Sequence, residues 1–525
     1  SEVARLNDGG YVVVWQSTGQ DGSGEGVYGQ RFNASGVAVG PEFRANTVTG
    51  SNQSYAHVAG LSNGGYVITW QDDSGSDGSG YGVYGQRYDA AGAVQGANFL
   101  VNTHIGNQQS DDVVVSYTGG FAVVWTSYTN PGGDYFDIYV KRYDNAGLVV
   151  TADTLVSTMP GAPGTAQTGA QFAPDVAAYA NGNLVIVWYD QGGNDTSGNG
   201  VYGRTYNASA GTFSDTFLVN TNTSGSQYEP SVATLSDGGF VVVWRDDNQD
   251  GSSAGVYAQR YNASATKVGG EFLINESTAG GQYQPSVTGL SGGGFVVTWY
   301  NDNYDITQTG TTSDVYIREF DSAGVAIDGQ RKLVSSVNST EFQPSIADLG
   351  NGNYVVTYTH YNTVQGQPGS NTYEIVQQNF GNAAVAPLLR QANPDLGDFT
   401  GTVTFLENAV NAGPQLIDPA VSLTDIDSAN FNGGRLDLYY ITGGGAQDQL
   451  SVLSQGNGDG QIGVAGNVVS YGGVAIGLVS GGANGVNLRI DLNSNAATPA
   501  AVEALIERLA YANTSSSPTD TRSLA

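Results

Sequence analysis

One pattern occurs seven times between the start of the chain and Phe380, and this repetition constrains the fold more than any other feature. Each copy has a glycine- or asparagine-rich turn, followed by an apolar strand that ends in an aromatic residue. These aromatic residues recur at similar intervals, of which the longest is that from Trp125 to Trp188. All six tryptophans of the 525-residue chain hold this position. The seven residues are Trp15, Trp70, Trp125, Trp188, Trp244, Trp299 and Tyr358.

Three further segments accompany the aromatic strand in each copy, which makes four short strands per repeat. They are typified by VYGQRF from Val27, FLVNT from Phe217 and the Q-Y-x-P-S-V segment around Pro230. The aromatic strand is apolar at nearly every position, as expected of a strand that is buried on both faces. The sequence therefore predicts an all-β fold, a seven-bladed β-propeller of four-stranded blades over residues 1–393. A linear β-solenoid is the alternative.

A different pattern follows the repeats. Residues 394–401 are predicted to be a linker, and residues 402–525 show longer alternating strands typical of a β-sandwich module. One short helix is expected, capped by Thr498 with Pro499 in its first turn. Its apolar face would consist of Val502, Leu505, Ile506 and Leu509. The sequence begins and ends within predicted strands, so we expect it to be a piece of a longer polypeptide.

Charge and composition exclude several classes of protein. The chain carries 48 acidic and 18 basic residues, for a net charge of −30, and has no basic stripe for nucleic acid. No apolar run is long enough to cross a bilayer, so no membrane span is predicted. The absence of cysteine among 525 residues favours an extracellular protein that is stabilised without disulfides.

The loop between the aromatic strand and the VYGQR strand is the strongest polar signal of the repeat. It reads QDGSGEG from Gln20, and each similar loop places one carboxylate among glycines and hydroxyls. Calcium takes six to eight oxygen ligands, so these loops are candidate calcium sites. A plain hairpin turn explains the same residues without an ion. The four carboxylates are Asp21, Asp77, Asp195 and Asp250.

A second candidate calcium site lies in the C-terminal module. Glu407 ends its first strand, and Asp425 and Asp427 follow farther along the chain. This E…DxD arrangement would bring three carboxylates to one end of a sandwich. An exposed turn with solvated acids is the alternative.

Catalytic patterns are weak. Ser62 and Ser291 match G-x-S-x-G, but both lie in the turn before the aromatic strand, where no strand-to-helix elbow is expected. The three histidines show no metal-ligand spacing. Acids that follow the aromatic strand recur from repeat to repeat, whereas catalysis needs one preorganised set, so we expect no enzyme here. Those acids include Asp72, Asp190, Asp246 and Asp302.

Arginine recurs in the VYGQR strand of the repeats. A ring of guanidinium groups would suit an anionic ligand, whereas the structural interpretation pairs each one with a carboxylate or carbonyl group nearby. The structural interpretation is favoured. The residues are Arg31, Arg87, Arg142, Arg204, Arg260 and Arg318.

The motif series GGFVVVW…DGSG…GVYGQRY…FLVNT resembles repeats of large secreted bacterial proteins of the RTX (hemolysin-type calcium-binding) group. The segment from Asn493 resembles the cadherin-like modules that follow such repeats. The resemblance implies type I secretion, calcium dependence and a surface location, although the nonapeptide G-G-x-G-x-D-x-U-x is absent from this sequence.

Two functions remain open at this point. The first is an extracellular structural or adhesive module that binds other copies, surface proteins or cell-surface glycans. The alternative is a carbohydrate-binding lectin or glycan-active hydrolase that uses the loop face of the propeller. A clear asymmetry among the repeats would favour the alternative.

Overall fold

The chain divides into two compact units, Ser1–Phe380 and Gly381–Ala525. The structure is a computed structural model. It describes residues 1–34, 36–78, 80–103, 108–128, 136–158, 167, 169–195, 197–247, 249–251, 253–303, 312–327, 329–333, 339–362, 372–380, 415–416, 430–432, 434–438, 440–442, 445–514 and 523–524.

The first unit consists of consecutive antiparallel sheets, one for each sequence repeat, in which strands follow chain order. The fifth and sixth are described separately here, although one parallel bridge between Ala254 and Gly281 joins them. The first sheet has β1 (Glu2–Arg5), β2 (Tyr11–Thr18), β3 (Glu25–Phe32) and β4 (Ala38–Arg44). The second has β5 (Gln53–Gly60), β6 (Tyr66–Asp72), β7 (Gly82–Tyr88) and β8 (Val94–Leu100). The third has β9 (Gln109–Tyr117), β10 (Gly120–Tyr128), β11 (Phe136–Asp144) and β12 (Val149–Leu155).

Later sheets keep this plan with small variations. In the fourth, the outer strand is split: β13 (Gln171–Ala178), β14 (Leu184–Asp190), β15 (Gly200–Asn207), β16 (Thr212–Phe213) and β17 (Phe217–Leu218). The fifth has β18 (Gln227–Thr234), β19 (Phe240–Asp247), β20 (Ala254–Tyr261) and β21 (Lys267–Leu273). The sixth has β22 (Gly281–Gly289), β23 (Phe295–Asn303), β24 (Thr312–Phe320) and β25 (Arg331–Lys332). The seventh has β26 (Ser339–Gly350), β27 (Asn353–Asn362) and β28 (Thr372–Phe380).

The first strands of the sheets lie beside one another. β1 contacts β5, β5 contacts β9, and the series continues through β13, β18, β22 and β26, which contacts β1 again. The first strands therefore surround a common axis, and the other strands of each sheet lie progressively farther out. This is an all-β fold of the propeller type, as the repeat pattern predicts.

The second strand of each sheet supplies the core. Trp70, Trp125, Trp188, Trp244 and Trp299 are at most 1% exposed, and each packs in a cluster with Val and Tyr side chains. Trp15 is the exception, being only partly buried. Apolar residues on both faces of these strands thus fill the space between neighbouring sheets.

The second unit has two larger sheets, ordered β29-β37-β32 and β30-β36-β35-β34-β33, and the pair β31-β38. Its strands are β29 (Gln415–Leu416), β30 (Arg435–Leu438), β31 (Tyr440–Thr442), β32 (Asp448–Val452), β33 (Ile462–Ala465), β34 (Val468–Tyr471), β35 (Val474–Gly481), β36 (Leu488–Leu492), β37 (Leu509–Asn513) and β38 (Ser523–Leu524). Leu450, Ile476 and Leu488 from both larger sheets share one core. The predicted linker, 394–401, lies outside the described residues.

The predicted helix is confirmed as α1 (Pro499–Ile506). Its N-cap Thr498 accepts a hydrogen bond from the Ala501 amide, which satisfies one free N–H of the first turn. Val502, Leu505 and Ile506 are buried, whereas Leu509 begins β37 instead of extending the helix. Within the described residues, no helix has the length and apolar character to cross a membrane.

Candidate functional site

A cavity of about 1310 Å³ lies among the first strands of the first unit. Its wall includes Glu2, His57, Glu229, Gln284 and Gln343, each from a different repeat. The cavity is thus built by residues that lie far apart in sequence but at equivalent places in the repeat.

A β-bulge shapes the wall in six of these strands. The residue at the bulge has a positive φ, and the register to the second strand shifts at this point, for example between Tyr228 and Ser231. A bulge re-aims the side chains around it, and here it turns them towards the axis. The bulge residues are Tyr55, Asp111, Ala173, Glu229, Gln284 and Gln343.

Glu2 and His57 form an ion pair across the first two sheets. His57 Nδ1 lies 2.7 Å from Glu2 Oε2, and the two side chains are 28% and 24% exposed. Burial by itself would lower the pKa of His57, but Glu2, Asp112 and Asp175 raise it to about 9. The imidazole is therefore positively charged at neutral pH and lies against the carboxyl group of Glu2 beside the cavity.

Two aspartates near this pair have pKa values that burial raises. Burial raises the pKa of Asp112 to about 6, although the charge of His57 opposes the shift. Burial also raises the pKa of Asp175 to about 6, although its carboxylate accepts hydrogen bonds from the Val232 and Val176 amides at 2.8 and 2.7 Å. At physiological pH each carboxyl group is therefore protonated in a larger fraction of the molecules than that of an ordinary aspartate.

Glu229 occupies the bulge of the fifth sheet. Its Oε2 accepts a hydrogen bond from the Gln284 amide of the next sheet at 2.8 Å. Burial raises its pKa, and the Gln284 amide and Arg245 offset the rise only in part. Glu229 is thus a cavity-lining carboxyl group whose protonated form is favoured relative to that of an exposed glutamate.

The sixth and seventh sheets lack charge at the equivalent positions. Their first strands carry Gln284-Pro285-Ser286 and Gln343-Pro344-Ser345, which line the same cavity. The cavity therefore has an ionisable side and a neutral, hydrogen-bonding side. The arrangement of strands repeats around the axis, but the charge of the side chains that line the cavity does not.

The four loop aspartates of the predicted calcium sites lie in local turns. Asp21 Oδ1 accepts a hydrogen bond from the Ser23 amide and Asp195 Oδ1 accepts one from the Ser197 amide, both at 3.1 Å. The Oδ2 atoms of Asp195 and Asp250 each lie 3.5 Å from an asparagine Nδ2. Asp77 belongs to the equivalent loop and is buried. Asp21 and Asp195 thus each accept a hydrogen bond within a local turn, and calcium binding at the four loops stays a prediction.

The second predicted calcium cluster, Glu407, Asp425 and Asp427, lies outside the described residues. In the part of the chain that the structure does describe, no three histidine, aspartate or glutamate side chains converge in a way that could hold a metal ion.

The recurring arginines form framework contacts. Arg31 and Arg260 reach Asp8 and Asp237 at 3.2 and 3.1 Å. Arg204 donates hydrogen bonds to the carbonyl groups of Val156 and Ser214. Arg87, Arg142 and Arg318 are likewise held by carbonyl, aromatic or carboxylate groups. These contacts agree with the structural interpretation of the arginine series.

The other sequence candidates also belong to the framework. Ser62 Oγ accepts hydrogen bonds from the Gly119 amide and Asn145 Nδ2, as a turn residue would. Asp72, Asp190 and Asp246 are buried, and burial raises the pKa of Asp246 to about 7. His360 pairs with Glu341 at 2.8 Å, and His104 lies outside the described residues.

Sequence reasoning missed Glu2, His57, Asp112, Asp175 and Glu229 as a group. It looked for asymmetry in the loops, not in the first strands. Aligning the P-S-V segments would have found it, because Glu2, His57 and Asp175 occupy the position of the serine in Pro230-Ser231.

No protein-family model matches the chain, and no curated protein matches it. Similar solved structures include a protein of unknown function from Dyadobacter fermentans (14% identity, TM-score 0.42, 62% of this chain and 94% of that chain). Others are the GH93 α-L-arabinofuranosidase of Fusarium graminearum with arabinobiose (16%, 0.40, 62% and 92%) and the α-L-arabinanase of Penicillium chrysogenum with arabinobiose (15%, 0.40, 62% and 93%).

These comparisons contradict the predicted structural or adhesive module, and that prediction is wrong. The expectation of no enzyme is likewise unsupported. The alternative, a glycan-active hydrolase, is argued below from the geometry of the cavity. The physical reason for the error is that only the acids of the framework repeat, whereas Glu2, Asp175 and Glu229 do not. At TM-scores below 0.5 the likeness assigns no substrate to this chain.

Proposed function

We propose that the first unit is a glycan-active hydrolase whose substrate enters the central cavity. The observation that carries this proposal is the asymmetry of the wall, with Glu2, His57 and Glu229 on one side and neutral glutamine and serine on the other. A cavity of this volume with a few converging polar groups is typical of a small-molecule or oligosaccharide site.

Glu229 and Glu2 suit the two roles that glycoside cleavage requires. Burial raises the pKa of Glu229, so this residue keeps a proton more readily and would donate it to the glycosidic oxygen as the C–O bond breaks. Glu2 is paired with the cationic His57 and would hold a negative charge towards the anomeric carbon. A water molecule then adds to that carbon and passes its proton to Glu2. Environments that separate the roles of two carboxyl groups are the usual basis of such an assignment.

The neutral side of the cavity would orient the sugar. The carboxamides of Gln284 and Gln343 and the hydroxyls of Ser286 and Ser345 offer donors and acceptors without charge. Sugar hydroxyls need both kinds of partner, so this side would bind the parts of the glycan that do not react.

Release of reducing sugar from a panel of polysaccharides, including α-L-arabinans, tests the proposal. We expect turnover of at least one glycan, with a loss of about 100-fold or more in Glu229→Gln and Glu2→Gln. Glu374→Gln makes the same change at an exposed glutamate of β28 that does not line the cavity, and should keep activity within about twofold of the native value. Turnover that survives both carboxylate changes would refute the assignment.

We further infer a closed seven-bladed ring for the first unit. Its support is the contact between the first and seventh sheets. Tyr11 donates a hydrogen bond to Asn379 Oδ1 at 3.1 Å, and Arg5 lies 3.8 Å from Asp348. Val3, Val13 and Val355 share an apolar cluster across the same junction.

Other expectations from the sequence stay predictions. They are a cadherin-like second unit, an extracellular location, kinship to RTX proteins with type I secretion, and stabilisation by calcium. Thermal unfolding with EDTA and with millimolar calcium tests the last of these. A midpoint that rises with calcium and falls with EDTA would support ion binding, and an unchanged midpoint would favour plain turns.

A further inference from the structure

A row of aromatic side chains crosses one side of the first unit, from the third sheet to the sixth. Neighbouring rings have their centroids 5.0 to 5.7 Å apart. The guanidinium group of Arg245 fills one place in the row, 5.1 Å from the ring centroid of Tyr228 and 4.7 Å from that of Tyr283. With Arg245, this aromatic row consists of Phe136, Phe172, Tyr189, Tyr228, Tyr283 and Tyr300.

The propeller-type fold does not require rings at these positions. In the fourth sheet the row contains Phe172 and its cross-strand partner Tyr189. The second sheet has Ser54 and Gln71 at the same two places, yet its Trp70 is only 1% exposed. The third sheet likewise has two polar residues there. The aromatic row is therefore an addition to the repeated framework and not a part of it.

The rings of the row remain in contact with solvent. Each of them is partly exposed, although the tryptophan that precedes Tyr189 or Tyr300 in the same strand is completely buried. The row thus lies at the solvent edge of the packing between sheets. A ligand that covers these rings would remove apolar surface from water, and a contiguous surface of this kind is typical of a binding site.

The aromatic row borders the central cavity. Tyr228 directly precedes Glu229, the bulge residue of the fifth sheet that lines the cavity wall. Arg245 packs on the Tyr228 ring, and its Nη1 lies 3.9 Å from Glu229 Oε1. The same guanidinium group is paired with Asp247, whose Oδ1 lies 2.8 Å from Nη2. A chain molecule that enters the cavity beside Glu229 can therefore continue across the row.

We propose that the aromatic row binds a neutral polysaccharide chain, of which another part occupies the central cavity. The choice of a glycan rests on the proposed function of that cavity. The C–H face of a sugar ring is apolar and packs on an aromatic ring, while the sugar hydroxyls stay in water. The row would therefore make the first unit prefer polymers to short oligosaccharides.

Charge separates this ligand from others that stack on aromatic side chains. Single-stranded nucleic acids do so, but their phosphates need a positively charged groove. The chain has a net charge of −30, and Arg245 is paired with Asp247. Acidic polysaccharides are disfavoured for the same reason. Proline-rich peptides also bind grooves lined by aromatic residues, so poly-L-proline serves as a comparison ligand.

Native gel electrophoresis of the full chain, in gels that contain a dissolved polymer, tests the row. The neutral probes are linear arabinan, arabinoxylan and galactomannan, and the comparison polymers are polygalacturonate and poly-L-proline. The protein carries Glu229→Gln so that the probe is not cleaved during the run. We expect at least one neutral polysaccharide to retard the protein and neither comparison polymer to do so.

Two double variants replace rings of the row by polar pairs that the repeats already contain. Phe172→Ser with Tyr189→Gln gives the fourth sheet the pair of the second. Tyr283→Ser with Tyr300→Thr gives the sixth sheet the pair of the third. Each should weaken binding of the polymer about tenfold. Phe213→Ser removes a partly exposed ring at the opposite end of the fourth sheet and should leave binding within about twofold.

The aromatic row and the hydrolase can fail separately. Cleavage of short oligosaccharides by the native protein, without retardation by any neutral polymer, would overturn the row alone. Retardation without turnover of any glycan would support the row and overturn the hydrolase. Equal retardation of the two double variants and the Glu229→Gln parent would overturn the row. Retardation only by polygalacturonate or poly-L-proline would overturn it as well.

Discussion

The second strands and the first strands of the repeats differ in how faithfully their sequence is kept. The second strand has Trp in six sheets and Tyr358 in the seventh, and it supplies the core everywhere. Six of the first strands have the same bulge, but the side chain that lines the cavity changes from sheet to sheet, from Glu2 to His57 to Ser231. Residues that repeat with the fold stabilise it, and a break in the repeat marks a local role. Four predictions can break or sharpen this distinction.

Removing a core tryptophan should have the largest effect. Trp188 is fully buried and donates a hydrogen bond to Gln167 Oε1 at 2.9 Å. We expect Trp188→Ala to lower the free energy of unfolding by about 4 kcal/mol. Trp15→Ala, at a partly buried tryptophan, should cost about half as much. Urea denaturation measures both, and equal losses would contradict the difference between the two environments.

The buried asparagine that joins neighbouring sheets should come next. Asn220 accepts a hydrogen bond from the Val201 amide at 2.9 Å and donates one to Gln227 Oε1 at 3.0 Å. Asn220→Ala leaves both groups unsatisfied, which should cost about 2 to 3 kcal/mol. Asn275 makes the same contacts one repeat later, with Val256 and Gln282, so Asn275→Ala should lose a similar amount. Clearly unequal losses in urea denaturation would show that the framework is not equivalent from sheet to sheet.

A smaller, pH-dependent effect is expected at the cavity. Because the pKa of His57 is raised to about 9 from an ordinary value of 6.5, its pairing stabilises the fold fully below pH 6.5 and loses this contribution as the pH rises through 9. His57→Gln should therefore cost about 1 to 2 kcal/mol at pH 6 and almost nothing at pH 10. Thermal or urea unfolding across this range measures the difference. A loss of stability that grows with pH would contradict the positive charge assigned to His57.

The smallest effect is expected on the neutral side of the same cavity. Ser345→Ala should change the unfolding free energy by less than about 0.5 kcal/mol, and equally at pH 6 and pH 10. Serine has no charge to lose in this range. A pH-dependent change at this residue would mean that the two sides of the cavity are electrostatically alike.

The sequence was sufficient to predict the framework. The repeated Trp, the four-stranded plan of the first six repeats and the Thr498 cap follow from local patterns of apolar, glycine and capping residues, and the structure has each of them. Gln-Asn clamps such as Asn220 with Gln227 were not predicted, since their partners lie in different strands.

The cavity could not be derived from local pattern. Glu2 and His57 belong to different repeats and meet only because adjacent first strands lie side by side. Their chemistry depends on burial and on neighbouring charges, which the sequence does not display. The loop aspartates differ from these residues, because a turn such as that of Asp21 with Ser23 follows from the local Asp-Gly-Ser pattern, whereas calcium binding at the loops stays a prediction.

The most direct test is a crystal structure of Glu229→Gln soaked with an oligosaccharide that the native protein cleaves. We predict an intact sugar chain in the central cavity, with one glycosidic oxygen at hydrogen-bond distance from residue 229 and the adjacent anomeric carbon facing Glu2. Sugar bound only outside the cavity, or a cavity that stays free of sugar at saturating concentration, would contradict the proposed hydrolase.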